Sequence, residues 1–251
     1  MIKSLQRIML RGLRRKGYQL SRIPRWTHPV HLVDEAEHLR VLRIIREVVA
    51  ERDDADTAWT GEAYARRERA AFYYQILDHW LRSSGAFPEG GKLLDVGAFH
   101  GYFLRIVSKR EPSAALFGTE IHEACVPIAA RVCPEATMLP GNADAARPHG
   151  PYDRICLTEV LEHLEDPELM ARQLVGMLRP GGSAVFTVPN GRYDSMPAGR
   201  HYPEHTSYSG HINFWSIESW RGFWHRTFPD LTLNCEQLDS GHLCAVVNRP
   251  L

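Results

Sequence analysis

The sequence has no net charge: 30 Lys and Arg balance 30 Asp and Glu. Such a chain has no global field with which to recruit nucleic acid or an anionic membrane. It has no apolar run near the roughly 20 residues of a membrane helix. Its cysteines are few and scattered (Cys125, Cys133, Cys156, Cys235, Cys244), odd in number and without a C-x-x-C pair. That argues against a disulfide framework and for a reducing, cytoplasmic setting. Internal repeats and low-complexity segments are missing as well. The N-terminus is basic but lacks a continuous apolar core, so it does not read as a signal peptide.

Charge is unevenly placed all the same. Residues 1–26 hold Lys3, Arg7, Arg11, Arg14, Arg15, Lys16, Arg22 and Arg25, and no acid precedes Asp34. Residues 2–16 suit a short basic helix with Ile2, Leu5, Met9 and Leu13 on one face. It would either touch a membrane surface or acidic partner, or pack on the domain by that thin stripe. From Asp34 the spacing of Leu39, Leu42, Ile45 and Val49 predicts a second helix. Thr60 is the expected cap of a third, carrying Tyr64, Phe72, Tyr73, Ile76, Leu77 and Trp80. Residues 1–85 therefore read as a helical N-terminal extension. Its aromatics (Trp59, Tyr64, Tyr73, Tyr74) are placed to form core or to close over a ligand.

From Lys92 the texture changes. Strand-like runs at 92–96, 114–120, 136–141, 153–158 and 183–188 alternate with helical segments at 101–110, 122–132 and 167–178. That alternation predicts an α/β fold, a Rossmann-like, seven-stranded and mostly parallel sheet. "SIESWRGFWHRTF" adds a helix. The runs 231–236 and 242–248, joined by "LDSGH", add an antiparallel edge hairpin.

The first turn, "LLDVGAFHGYF", carries the chemistry. Asp95 ends the first strand, where ligands of open α/β sheets bind. Gly97 permits a sharp turn, and Gly101 a close approach of backbone to ligand. A dinucleotide site would show G-x-G-x-x-G. A carboxylate beside the turn is wrong for pyrophosphate and right for a cationic amino-acid headgroup. The turn resembles motif I of the class I S-adenosylmethionine-dependent methyltransferases, acid-x-G-x-G-x-G, with Phe99 in place of the middle glycine. "LFGTE", "GNAD", "YDRICLTEVLEHLEDP" and "LRPGGSAVFTVPN" follow in the family's order, so the resemblance covers roughly 92–248. It implies a methyltransferase domain over 86–251 with S-adenosyl-L-methionine as cofactor. Asp95, Gly97, Ala98, Phe99 and Gly101 would surround its methionine part. Glu120 would accept from the ribose hydroxyls, with Ile121 beside it. Asn142 would meet the adenine amino group, with Asp144 as the alternative, and Ala143 and Thr158 would be further cofactor-binding residues.

In "TEVLEHL", Glu159, Glu162 and His163 stand at i, i+3 and i+4, one face if the segment is helical. Two carboxylates and an imidazole suit Mg²⁺, Mn²⁺ or Zn²⁺. This E-x-x-E-H pattern resembles that of ubiquinone-pathway and small-RNA 3′-end O-methyltransferases. His211, in "GHINFWS", occupies the place of the latter's late histidine. By that resemblance Glu159, Glu162, His163 and His211 would hold a cation that lowers the pKa of a hydroxyl to be methylated. Without a cation, Glu159, Glu162 and His163 remain the catalytic candidates, with His163 as base. The string is also frequent in the superfamily without any metal.

The long segment 189–215 carries Asn190, Arg192, Tyr193, Arg200, Tyr202 and Tyr208, which suit a polar, hydroxylated small-molecule acceptor. His201 and His205 fall in the same stretch, as substrate-loop or surface residues. O-methylation of such an acceptor is the leading expectation. RNA 3′-end ribose methylation is the alternative in the same fold, with neutral charge and no RNA-binding module against it. A binding or scaffold protein with a methyltransferase fold is the alternative of another class.

Overall fold

The computed structural model describes residues 30–51, 66–191 and 210–251. The basic segment 2–16, Trp59, Thr60, Tyr64 and residues 192–209, with His201 and His205, lie outside the described residues. The strands are β1 (Lys92–Val96), β2 (Ala115–Glu120), β3 (Ala136–Pro140), β4 (Tyr152–Thr158), β5 (Leu178–Val188), β6 (Thr232–Gln237) and β7 (Leu243–Asn248). They form one sheet in the order β3-β2-β1-β4-β5-β7-β6. β1 to β5 are parallel, and β7 runs antiparallel to both β5 and β6. This is the α/β sheet with an antiparallel edge hairpin that the sequence implied. β4 is buried along its whole length. Its apolar run is only Ile155-Cys156-Leu157, and its buried charges are partnered: Asp153 accepts from the Lys92 amide at 2.7 Å, and Arg154 donates to the Ala86 carbonyl at 3.0 Å.

The helices are α1 (Glu35–Ala50), α2 (Arg67–Ser84), α3 (Tyr102–Arg110), α4 (Val126–Val132), α5 (Pro167–Met177) and α6 (Ile217–Thr227). α1 to α4 share one core with β1 and β2, built on Ile45, Phe72, Ile76, Trp80, Phe103 and Leu104. α5 and α6 cover the other face through Leu174, Phe186, Trp220 and Trp224. Local chemistry fixes the starts. Asp34 accepts from the Glu37 amide at 3.1 Å to cap α1, and Asp166 accepts from Leu169 at 2.8 Å to cap α5. Ser216 and Ser219 make a reciprocal capping box for α6.

Two helix readings need correction. Arg66 holds the N-cap position of α2, so Thr60 does not cap that helix and Tyr64 precedes it. α1 is rotated from the expected stripe. Leu39 is exposed, and Val41, Ile44, Ile45 and Val48 are buried. The buried face also takes Glu37 and His38, satisfied by Arg105 at 2.8 Å and the Tyr102 hydroxyl at 3.0 Å. Apolar periodicity does not register such partnered polar groups. No helix among the described residues is long and apolar enough to cross a membrane.

Candidate active site

The strand order reverses between β1 and β4, the place at the carboxyl edge where open α/β sheets take their ligands. Asp95 lies on the β1 side. It is buried, and its Oδ1 has no hydrogen-bond partner among the described residues. Burial, reinforced by the Glu120 carboxylate, pushes the Asp95 carboxyl up to about 8, against a small opposing hydrogen bond with Cys156. A buried acid with an open oxygen is the environment a cationic ligand group would stabilise.

Glu120, at the end of β2, is fixed from both sides. The Phe99 amide donates to Oε2 and the His122 amide to Oε1, each at 2.8 Å. Each oxygen keeps a further lone pair for a ligand hydroxyl. Phe99 follows the motif in backbone though not in residue type. Its φ is 48°, left-handed like the 74° of Gly97 and the 70° of Gly101. This costs a bulky residue on the order of 1 kcal/mol. A Cβ at Gly101 would lie 3.1 Å from the Ala129 backbone, so the glycine also admits the close approach of α4.

The other cofactor candidates stand at or near the ends of β1, β2, β3 and β4. Ala98 is buried and donates its amide to the Thr119 carbonyl at 2.9 Å. Ile121 stands exposed just past β2, and Thr158 is the buried last residue of β4. Asn142 uses its side-chain oxygen to accept from the Asp144 amide at 2.9 Å. Ala143 is buried beside it, and Asp144 is ion-paired with Arg147 at 2.6 Å.

The E-x-x-E-H segment is not one helical face. Glu159 has φ 56°, and only Leu161–His163 form a 3₁₀ turn. The reversal sends Glu159 away from the other two. Its Oε1 accepts from the Thr187 hydroxyl at 3.1 Å, and its Oε2 lies 3.4 Å from Nε2 of His242. Burial alone would raise the Glu159 carboxyl. The His242 imidazole outweighs it, aided by Arg69 and Thr187, and the carboxyl sits below its ordinary range.

Glu162, His163 and His211 do come together. Their potential ligand atoms lie within 4.8 Å of one another. Oε1 of buried Glu162 is 3.8 Å from Nε2 of His163 and 3.9 Å from Nε2 of His211. The donor set of one carboxylate and two imidazoles fits Mn²⁺ or Zn²⁺ better than Mg²⁺. Sequence reasoning missed Thr187 and His242. No motif marks either, and His242 sits in a stretch that reads only as a hairpin turn.

A twisted, mostly parallel sheet with acids at the ends of its first two strands defines a class I methyltransferase architecture. The methyltransferase domain family matches residues 64–227, and the chain belongs to it. The chain is an S-adenosylmethionine-dependent methyltransferase. It is 28% identical over 126 residues to an uncharacterized methyltransferase, YdaC, of Bacillus subtilis, covering 49% of this chain and 70% of the relative. It is 26% identical over 117 residues to the ubiquinone biosynthesis O-methyltransferase of Bordetella avium, covering 44% of this chain and 48% of that protein. The chain thus spans about half the length of that second relative. Its fold is similar to the plantazolicin methyltransferase BpumL, solved in complex with a triazolic desmethylPZN analog and SAH. That match has a TM-score of 0.65 at 15% identity and covers 86% of this chain and 99% of the other.

Proposed function

We propose that the chain transfers the cofactor's methyl group to a hydroxyl of a polar small molecule, such as a sugar or a natural product. The observation that carries this reading is the grouping of Glu162, His163 and His211 just past the end of β4. It lies beside the switch point flanked by Asp95 and Glu120. The relationship to ubiquinone-pathway O-methyltransferases supports oxygen as the methylated atom.

On this reading Asp95 faces the cationic methionine part of the cofactor, and Glu120 accepts from its ribose hydroxyls. Ile121 and Asn142–Asp144 border the adenine. Glu162, His163 and His211 would hold a divalent cation, whose charge would lower the pKa of a neighbouring acceptor hydroxyl. Without the cation, His163, with 43% of its side chain exposed, is the group placed to take the hydroxyl proton. Holding both reactants in one cleft supplies much of the rate.

The test uses chelator-treated protein loaded with S-adenosylhomocysteine and titrated with Mn²⁺ and Zn²⁺. Labelled methyl transfer to polyhydroxylated sugars and phenols is followed in parallel. One equivalent of bound metal, lost in Glu162→Ala, together with alkali-stable labelled ether, supports metal-assisted O-methylation. Ether formed without metal assigns the proton to His163. Label that appears only on nitrogen or carbon contradicts the reading.

A further inference from the structure

Glu159 is the polar side chain immediately after β4, across the switch point from Asp95. Four features converge on it. Its backbone is left-handed at φ 56°, a conformation that non-glycine residues keep only where the surroundings enforce it. The Thr187 hydroxyl from β5 donates to Oε1 at 3.1 Å. His242, from the turn between β6 and β7, brings Nε2 to 3.4 Å from Oε2. The His242 ring is itself fixed from two sides, by the Ser240 hydroxyl 3.1 Å from Nδ1 and by the Phe72 ring at 4.1 Å.

α2 closes over the same place. Arg69 acts on the Glu159 carboxylate, and the hydroxyl of half-buried Tyr73 lies near enough to feel both Asp95 and Glu159. The charged and titratable groups around Glu159 are therefore Arg69 and Tyr73 from α2 and His242 from the hairpin, with Asp95 of β1 also within reach of Tyr73. Thr187 uses one lone pair of Oε1, and His242 engages Oε2. A carboxylate has about four acceptor positions in all, so capacity remains for a further donor. The carboxylate is held ionised and in a fixed orientation, although 14% of its side-chain surface remains exposed. A structural ion pair alone would not require the strained backbone.

We propose that Glu159, with His242 as its positioning residue, is a binding site for a hydrogen-bond-donating group at the methyl-transfer position. The ligand class is a hydroxyl or ammonium group of the acceptor next to the sulfonium methyl. The inference rests on the S-adenosylmethionine reading above. It is independent of whether Glu162, His163 and His211 hold a metal.

Sinefungin provides a probe that needs no knowledge of the acceptor, because it carries a primary amine where the cofactor carries its methyl. Calorimetric affinities for sinefungin and S-adenosylhomocysteine are measured on the full chain, on Glu159→Gln and on His242→Gln. A charged hydrogen bond to the amine makes the sinefungin preference fall roughly tenfold in Glu159→Gln, with S-adenosylhomocysteine affinity changed less than about threefold. His242→Gln moves the preference in the same direction by a smaller factor, and it carries the test if Glu159→Gln does not fold. An unchanged preference in both variants, or equal weakening of both ligands, overturns the proposal. If the wild-type chain binds neither ligand, the S-adenosylmethionine reading fails first and the proposal with it.

Discussion

The carbonyl oxygen of Glu162 accepts two backbone hydrogen bonds, one of them from Asn213 at 3.0 Å and the other from Ile212 at 2.8 Å. The Asn213 side chain tightens the same joint, donating to the Leu161 carbonyl at 3.2 Å and to that of Leu164 at 2.6 Å. These four bonds seat the segment beginning at His211 on the turn that presents Glu162 and His163. The three side chains meet because two backbone segments distant in sequence are joined.

Replacing Asn213 with Ala removes two of those bonds: the Leu164 carbonyl loses its 2.6 Å donor, and the Leu161 carbonyl keeps only the Leu164 amide at 3.2 Å. The expected loss is about 1–3 kcal/mol. For a chain of this length that corresponds to a fall in Tm of roughly 2–12 °C. The Glu162–His211 approach loosens with it, so any Mn²⁺ or Zn²⁺ affinity falls as well. Differential scanning calorimetry and metal titration check both, and a variant with wild-type Tm contradicts this role for Asn213.

Asp95 makes a pH-dependent claim. Its folded-state carboxyl is raised to about 8 from an ordinary 3.8. Between those values the unfolded chain has released a proton that the folded chain still binds, so stability falls as pH rises from about 4 to about 8. Asp95→Asn removes this penalty. The ligand-free variant is therefore expected to exceed the wild type by a few kcal/mol at pH 8 and to match it more closely at pH 4. It also loses most of its S-adenosylhomocysteine affinity. Urea unfolding at the two pH values checks the sign, and a variant less stable at pH 8 refutes it.

Gly101→Ala separates packing from ligand contact. The new methyl group meets the Ala129 backbone at 3.1 Å, on a residue with φ 70°. The expected cost is about 1–3 kcal/mol, read as a lower Tm of the ligand-free protein. A variant of unchanged Tm but weakened cofactor binding would confine the role of Gly101 to the ligand surface.

Glu120→Gln swaps a carboxylate that accepts from two backbone amides for an amide whose nitrogen must face one of those donors. The turn carrying Phe99 then loses one anchor, and the ribose contact proposed for Glu120 weakens. S-adenosylhomocysteine affinity is expected to fall roughly tenfold or more, as measured by calorimetry.

The parts of the fold that were legible in the sequence are those whose burial is simple. β1 and β4 read as strands because each holds a short apolar stretch, Leu93-Leu94 and Ile155-Cys156-Leu157, and the β6–β7 hairpin because a glycine turn parts two strand-like runs. α1 was misoriented because Glu37 and His38 are buried on ion-pair and hydrogen-bond partners that lie far along the chain. At the site, Asp95, Gly97 and Glu120 could be placed from the spacing of a strand-turn-helix and the strand that follows. The separation of Glu159 from Glu162 and His163 could not. A left-handed residue at position 159 breaks the helical spacing, and no local rule assigns such a conformation to glutamate. His242 escaped for a related reason. Its partner is 83 residues away and is brought near only by β5, β7 and the sheet order.

The most direct measurement is a calorimetric titration of the purified chain with S-adenosylhomocysteine, repeated on Asp95→Ala. Single-site binding by the wild type, weakened at least about tenfold in the variant, is the predicted result. A wild-type chain that binds none, or a variant that binds as tightly as the wild type, contradicts the cofactor site described between β1 and β4.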